Sequence, residues 1–185
     1  NHYPKEFFNL NNIVEYKNVI IDTGTTNAKL CGAILDIKER SNKDGKKYAF
    51  LTISELNTQF ELTIFSENLN IYRNLLKEGN LLIFDIDIIR NNDDTRCIIK
   101  KIIQLDQVFN NTHKKINIYS SSNNLITYKD QFLQTGKKND QNIDVFVNID
   151  EKLVSFKFNN YYIKSFKSLD TLKNSKILDY SLELS

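Results

Sequence analysis

The sequence has no methionine and no tryptophan, one proline and five glycines in 185 residues. A chain without methionine that starts at Asn1 is expected to be a piece of a longer protein, or one whose N-terminus has been processed. So little proline and glycine excludes a collagen-like or linker-rich chain. Cys31 and Cys97 stand alone, without C-x-x-C spacing, and His2 and His113 are far apart. That excludes a disulfide framework and leaves a zinc site without support. Both cysteines fall in apolar, strand-like runs and are expected as buried thiols. No apolar run approaches the roughly 18 residues of a membrane helix, and no signal-peptide core follows the N-terminus. A soluble, cytoplasmic chain with no membrane partner is expected.

Catalytic signatures are missing as well. The sequence has no phosphate-binding Gly-Lys loop, no Gly-x-Ser-x-Gly elbow and no histidine near a nucleophile. Asp85 and Asp87 alternate with Phe84, Ile86 and Ile88, so both carboxylates share one strand face. With no third ligand in view, a solvated edge is expected rather than a metal pair. No catalytic residue, metal or cofactor is expected in this segment.

What is present suffices for a core: 41% of the residues are hydrophobic, 26% are charged, and the net charge is only +2. The chain is rich in Asn, Lys and Ile, the bias of an A+T-rich genome, so asparagine is a weak turn marker here. Residues 1–27 form a lead-in in which Phe7, Leu10, Ile13 and Val14 match one helix face, ending at the polar cluster Asp22-Thr23-Gly24-Thr25-Thr26. From Ala28 the period changes to that of strands. AKLCGAILDIK is followed by the polar loop ERSNKDGK. KYAFLTISE then puts Ala49, Leu51 and Ile53 on one face and Tyr48, Phe50 and Thr52 on the other. After the turn Leu56-Asn57-Thr58-Gln59, FELTIF alternates again, with Phe60, Leu62 and Ile64 inward. SENLNIYRNLLKEG predicts a short helix capped at Gly79, and two further strands are joined by the acidic turn Asn92-Asp93-Asp94.

Strand, strand, strand, short helix, strand, strand is the order of an OB-fold, a five-stranded Greek-key barrel, here assigned to residues 28–109. Residues 106–113 break the pattern. Beyond them, 114–185 predict a small α+β module: a strand at KKINIYSS, a helix ending at Gly136, a hairpin, a segment YYIKS extending the sheet, a helix opened by Ser168, and a last strand ILDYSLEL. The fold class is thus mixed, a β-barrel followed by an α+β unit.

Charge placement says more than net charge. Within 28–109, eight Lys and four Arg are offset by seven Asp and five Glu, whereas from Asn110 onward eleven Lys face six Asp and two Glu. Around the first inter-strand loop Lys38, Arg40, Lys43, Lys46 and Lys47 outnumber Glu39 and Asp44, and around the last Arg90, Arg96, Lys100 and Lys101 outnumber Asp93 and Asp94. Those loops and the face between them are where OB-folds hold oligonucleotides, and Tyr48 and Phe50 offer outward rings for stacking. The candidate nucleic-acid-binding set is therefore Arg40, Lys43, Lys46, Lys47, Tyr48, Phe50, Arg90, Arg96 and Lys100.

KDGKKYAFLTISELNTQFELTIF, through Lys43, Gly45, Ala49, Phe50, Glu61 and Phe65, resembles the OB domain near the C-terminus of the bacterial DNA polymerase III alpha subunit family. That family has a K-x-G loop, an A-F-x-T-[LI] strand, a turn and E-x-x-x-F. The likeness runs on through NIYRNLLKEGNLLIF. NHYP is similar to a His-Pro segment before the barrel, and Lys114–Leu184 resembles the family's tau-binding region in length and element order. The resemblance implies a non-catalytic piece of a DNA-directed DNA polymerase. Its barrel would guide single-stranded template DNA, its C-terminal module would hold the clamp-loader tau subunit, and other replisome subunits would lie nearby. An anticodon-binding barrel of a class II aminoacyl-tRNA synthetase and an OB-fold that contacts protein only are the alternatives. The synthetase would continue into a large catalytic domain with its own arginine-bearing motifs, which the C-terminal module lacks.

Overall fold

The computed structural model describes residues 3–56, 58–91, 94–138, 140–149 and 152–185. His2, Asn57 of the expected Leu56–Gln59 turn, and Asn92 and Asp93 of the acidic turn lie outside the described residues. The chain forms two compact units: one runs Asn11–Val108, and the other joins the residues up to Leu10 to Phe109–Ser185. The expected lead-in is therefore shared between the units instead of forming one segment.

Two short helices, α1 (Lys5–Leu10) and α2 (Tyr16–Ile21), replace the single helix face expected of Phe7, Leu10, Ile13 and Val14. Asn12 adopts φ of +54°, which a continuing α-helix cannot accommodate. Ile13 then bridges in parallel to Lys29, and the Val14 N–H donates to the Lys29 carbonyl at 2.9 Å. Phe7 is buried while Leu10 and Val14 are exposed.

In the first unit, β1 (Asn27–Ser41), β2 (Lys47–Glu55) and β3 (Thr58–Phe65) are followed by α3 (Ser66–Tyr72), β4 (Leu81–Asn91) and β5 (Asp94–Gln104). The strands close a barrel in the order β1-β2-β3-β5-β4. That order, with the helix between the third and fourth strands, is the OB-fold. The period-2 pattern explains the register: Ala49, Leu51, Ile53, Phe60, Leu62 and Ile64 are all buried, and Leu30, Ile34, Phe84, Ile86 and Ile99 meet them inside. β1 pairs with β4 from Asn27 to Ala33 and with β2 from Ala33 to Ser41, so it bends from one wall of the barrel to the other around a bulge between Ile34 and Asp36.

The helix predicted to reach Gly79 ends at Tyr72. Its C-terminal side is drawn flat against β1, where Gly79 N–H donates to the Ile34 carbonyl at 2.8 Å and Ile34 N–H to the Asn80 carbonyl at 3.1 Å. Between Tyr72 and Gly79 the chain makes tight turns, with the Leu75 N–H donating to the Tyr72 carbonyl at 2.8 Å and the Lys77 N–H to the Leu75 carbonyl at 3.0 Å. Gly79 still takes the positive φ, +82°, at the end of the excursion.

The broken pattern at 106–113 forms α4 (Leu105–Asn111), and the second unit continues through β6 (Lys114–Ser121), α5 (Ser122–Phe132), β7 (Leu133–Thr135), β8 (Gln141–Ile149), β9 (Lys152–Lys157), β10 (Tyr161–Ile163), α6 (Phe166–Asn174) and β11 (Leu178–Leu184). A four-stranded sheet has the order β11-β6-β8-β9, with β6 and β8 parallel. Ile116, Ile118, Val145 and Val147 of this sheet share one core with Phe132, Leu169 and Leu172 from the helices. The Tyr161 segment pairs with β7 as a separate two-stranded ribbon rather than extending the sheet. Ser165, not Ser168, caps α6, its hydroxyl accepting the Ser168 N–H at 3.1 Å. In the same unit α1 contributes Phe7, whose ring lies 5.1 Å from that of Phe109; Phe109 in turn meets Phe166 at 5.8 Å.

Candidate nucleic-acid interface

Because Ala49, Leu51 and Ile53 point inward, the alternate residues of β2 must face out, and the register shows what stands beside them. One row across the barrel wall runs Arg40, Tyr48, Phe65, the next Lys38, Phe50, Thr63, and a third Asp36, Thr52, Glu61. The Tyr48 and Phe50 rings are 5.5 Å apart and nearly perpendicular, leaving ring surface toward solvent. Phe65 is 50% exposed. A large apolar ring on the outer wall, paired across strands with Tyr48, is the third member of an aromatic patch that the expected residue set omits. The alternation that placed Phe60, Leu62 and Ile64 inward required Phe65 to face out, so its signal was in the sequence.

The lysine loop is built by Asn42. Its side-chain oxygen accepts the backbone N–H of Asp44 at 3.0 Å and of Lys46 at 2.8 Å, while Gly45 at φ of +75° completes the turn. The fixed backbone holds Lys43 and Lys46 on the loop, with Arg40 and Lys47 on the strands at its base. Among the described residues, Arg40, Lys43, Lys46 and Lys47 take part in no ion pair. Glu39 lies near enough to feel Lys47, but its carboxylate is held by Arg73 at 2.6 Å, and Arg73 chiefly, with Lys47 after it, keeps its pKa below the ordinary glutamate value. The patch is thus polarised: uncommitted cations and rings gather toward the loop, and Asp36 and Glu61 occupy the row farthest from it.

Residues from the last two strands divide. The parallel pairing of Thr63 with Ile98 carries the outer wall onto β5, where Lys100 follows Ile98 in the direction that Phe65 follows Thr63. Lys100 is paired with Asp87 at 3.3 Å, which also gives that carboxylate a structural partner. Arg96 lies in the opposite direction and is held by Asp94 at 2.7 Å, both side chains being exposed. Arg90 belongs to neither group. Its guanidinium donates to the carbonyls of Val19 at 2.7 Å, Asp22 at 3.0 Å and Thr25, thereby satisfying backbone acceptors at the C-terminal end of α2 and in the turn that follows it. Sequence spacing put Arg90 beside a loop but could not show that α2 would dock there.

Arg90 is consequently a fastener of α2 in this structure. Arg90→Met should lower barrel stability by about 2–3 kcal/mol, the loss of charged hydrogen bonds to part-buried acceptors. It should leave the salt dependence of any strand binding unchanged. Urea unfolding followed by circular dichroism measures the first, and a parallel change in salt slope would put Arg90 back in the interface.

No family model matches the sequence. The DNA polymerase III subunit alpha of Rickettsia prowazekii (strain Madrid E) is 28% identical over 100 residues, which is 54% of this chain. Over those residues the chain is similar to a DNA polymerase III alpha subunit. It spans 8% of that relative's length. Among solved structures, the yeast mitochondrial single-stranded DNA binding protein Rim1 aligns with a TM-score of 0.38 at 17% identity, over 43% of this chain and 93% of that one. The single-stranded DNA binding protein of Thermus aquaticus gives 0.36 at 18% identity, over 43% of this chain and 40% of that one. The second OB-fold domain of replication protein A from Methanococcus maripaludis gives 0.34 at 14%, over 43% and 84%. Among the described residues, no helix is long and apolar enough to cross a membrane.

Proposed function

We propose that this chain is a C-terminal piece of a replicative DNA polymerase alpha subunit, and that its barrel guides single-stranded DNA across the outer wall of β1, β2 and β3. The observation that carries the proposal is the juxtaposition of Tyr48, Phe50 and Phe65 with Arg40, Lys43, Lys46 and Lys47, cations that form no ion pair among the described residues. Rings accept bases of any sequence, and lysines on a fixed loop track phosphates. The similarity over 100 residues to a polymerase III alpha subunit supplies the replicative context. In this reading nucleotidyl transfer belongs to other parts of the subunit, and the second unit tethers it to the clamp-loader tau subunit.

The barrel carries no overall charge surplus, so local contacts must supply the affinity, and their number is measurable. A single strand releases about 0.7 counterion per phosphate neutralised, so changing Lys43, Lys46 and Lys47 together to Ala should flatten the log-log salt slope by about 2. Tyr48→Ala or Phe65→Ala should weaken binding by about 1–3 kcal/mol at every salt concentration with the slope unchanged. Fluorescence anisotropy on a labelled oligo-dT strand measures both. A triple-lysine variant that kept wild-type affinity and slope would return this wall to a purely structural or protein-contacting role. Tighter binding of tRNA than of oligo-dT would favour the synthetase alternative.

A further inference from the structure

The second unit carries a cavity of about 670 Å³ in which Lys115, Lys137, Lys138 and Lys157 converge around the rings of Phe158 and Tyr161, with Asp144 as the one carboxylate of the lining. Lys115 shares its charge with Glu183 at 3.3 Å, both side chains about half-exposed. Among the described residues, Lys137, Lys138 and Lys157 take part in no ion pair. Lys138 instead lies 5.0 Å from the centre of the Tyr162 ring. Asp144 sits across the sheet from Lys157, so the carboxylate offsets part of the charge and leaves a clear cationic excess. The sequence shows the same bias, since the lysine surplus of the whole chain lies beyond Asn110.

The lining does not stop at the cavity. Lys115, Asp144 and Lys157 belong to the sheet face that the helices leave uncovered, opposite the buried Ile116, Ile118 and Val145. On that face Tyr119 of β6 and Phe146 of β8 are direct cross-strand partners, and their rings stack at 5.0 Å with an angle of 16°. Tyr119 is 39% exposed. Asn117 stands in the next row of the same face and Asn142 in the row beyond it; their amide nitrogens meet Ser181 Oγ at 3.3 Å and His113 Nε2 at 3.1 Å, which leaves the amide oxygens as acceptors, and Asp179, across from Tyr119, is held by Lys173 at 2.7 Å. A sheet with adjacent outward rings, side-chain amides and a cluster of lysines at one end carries the three chemistries that a single strand needs: base stacking, base-edge hydrogen bonding and phosphate neutralisation.

We infer that the second unit holds its own single-stranded nucleic-acid site, with phosphates in the lysine cavity and bases on the Tyr119–Phe146 side of the sheet. An acidic peptide would use the lysines equally well but gives no role to the stacked rings, so a nucleic acid fits more of the site. This site is independent of the barrel wall, and the test keeps the two apart.

The test uses the full chain with Lys43, Lys46 and Lys47 already changed to Ala, so that what remains reports on the second unit. Adding Lys137→Ala, Lys138→Ala and Lys157→Ala should lower affinity for fluorescein-labelled oligo-dT by about tenfold or more near 0.1 M salt and reduce the remaining slope by about 2. Tyr119→Ala should weaken binding without changing the slope, and bromodeoxyuridine in the strand should photo-crosslink to β6 or β8 in the unmutated chain. These lysines are exposed, and circular dichroism melts will show that the variants fold. Unchanged affinity and slope in the six-lysine variant would overturn the inference. So would displacement of the strand by poly-glutamate at the same charge concentration as by unlabelled oligo-dT, since the cavity would then read charge alone. If the first three substitutions have no effect but the second three do, the barrel proposal fails and this one stands.

Discussion

Lys114→Met should cost the second unit about 3–5 kcal/mol, the usual penalty for removing one partner of a buried ion pair. Lys114 is fully buried, and its ammonium donates to the Phe109 carbonyl, the Thr112 carbonyl and Asp140 Oδ2, each at 2.7 Å. It also lies 4.3 Å from the centre of the Phe109 ring. Desolvation draws its pKa below the ordinary lysine value, with the Asp140 carboxylate pulling the other way, so the charged form is retained at some expense. Methionine matches the stem in length but donates nothing. It would take the ammonium from the Thr112 carbonyl, leave the Phe109 carbonyl with the Thr112 N–H at 3.3 Å, and leave Asp140 without its cation. Replacing both members of the pair, Lys114→Met with Asp140→Asn, should recover part of the loss, because the unpaired carboxylate contributes much of it. Urea unfolding followed by circular dichroism gives the numbers. If the single variant were as stable as the parent, three 2.7 Å contacts would be contributing nothing, and Lys114 would not organise the turn that opens β6.

Gly32→Ala should be nearly as damaging in the barrel, at about 3 kcal/mol, the upper end for inserting one methyl into a packed site. Here the glycine is needed for closeness rather than for an unusual φ. A β-carbon at Gly32 would collide with Ile53 Cγ2 and would stand 2.6 Å from the Ser54 carbonyl oxygen. A side-chain tip can rotate away, but the carbonyl belongs to β2 and moves only with the strand. The position is also where β1 changes partner from β4 to β2, so shifting either strand disturbs two seams at once. For a domain of about 100 residues, 1 kcal/mol moves the melting temperature by roughly 4–8 °C, so the variant should melt more than about 10 °C below the parent. A change within a couple of degrees would show that β2 yields easily at Ser54.

The barrel was legible because its signal is local and repeated. Leu51, Ile53, Leu62 and Ile64 alternate strictly, and that one property fixes which residues line the inside and which, Tyr48 and Phe50 among them, face out. The lysine loop was legible for the same reason, since Lys43 and Lys46 lie between two strands whose pairing was already implied. What failed depends on contacts made at a distance. Arg90 is next to a loop in sequence, yet the carbonyls it satisfies belong to residues some seventy positions earlier. Gly79 carries a good capping signal, but α3 gives way to local turns after Tyr72, and β1 takes the Gly79 N–H and the Asn80 carbonyl. β7 and β10 are three residues each, too short to show any period, so their pairing into a ribbon could only be seen in space. The lysine cavity is assembled from β6, β8, β9 and the connections around them, and no single window of sequence contains it.

That the residues up to Leu10 share a compact unit with Phe109–Ser185 has a consequence for the order of events during synthesis. A ribosome delivers α1 before the barrel, which can close as soon as its last strand has emerged. Phe7, by contrast, is destined to meet Phe109 and, through it, Phe166. At roughly 5–20 residues per second the wait for α6 is on the order of ten to thirty seconds. For that interval this apolar helix must be kept from wrong partners while a complete domain folds between it and the rest of its own unit in the sequence. Nascent-chain chaperones would therefore still meet α1 long after the barrel that follows it has finished.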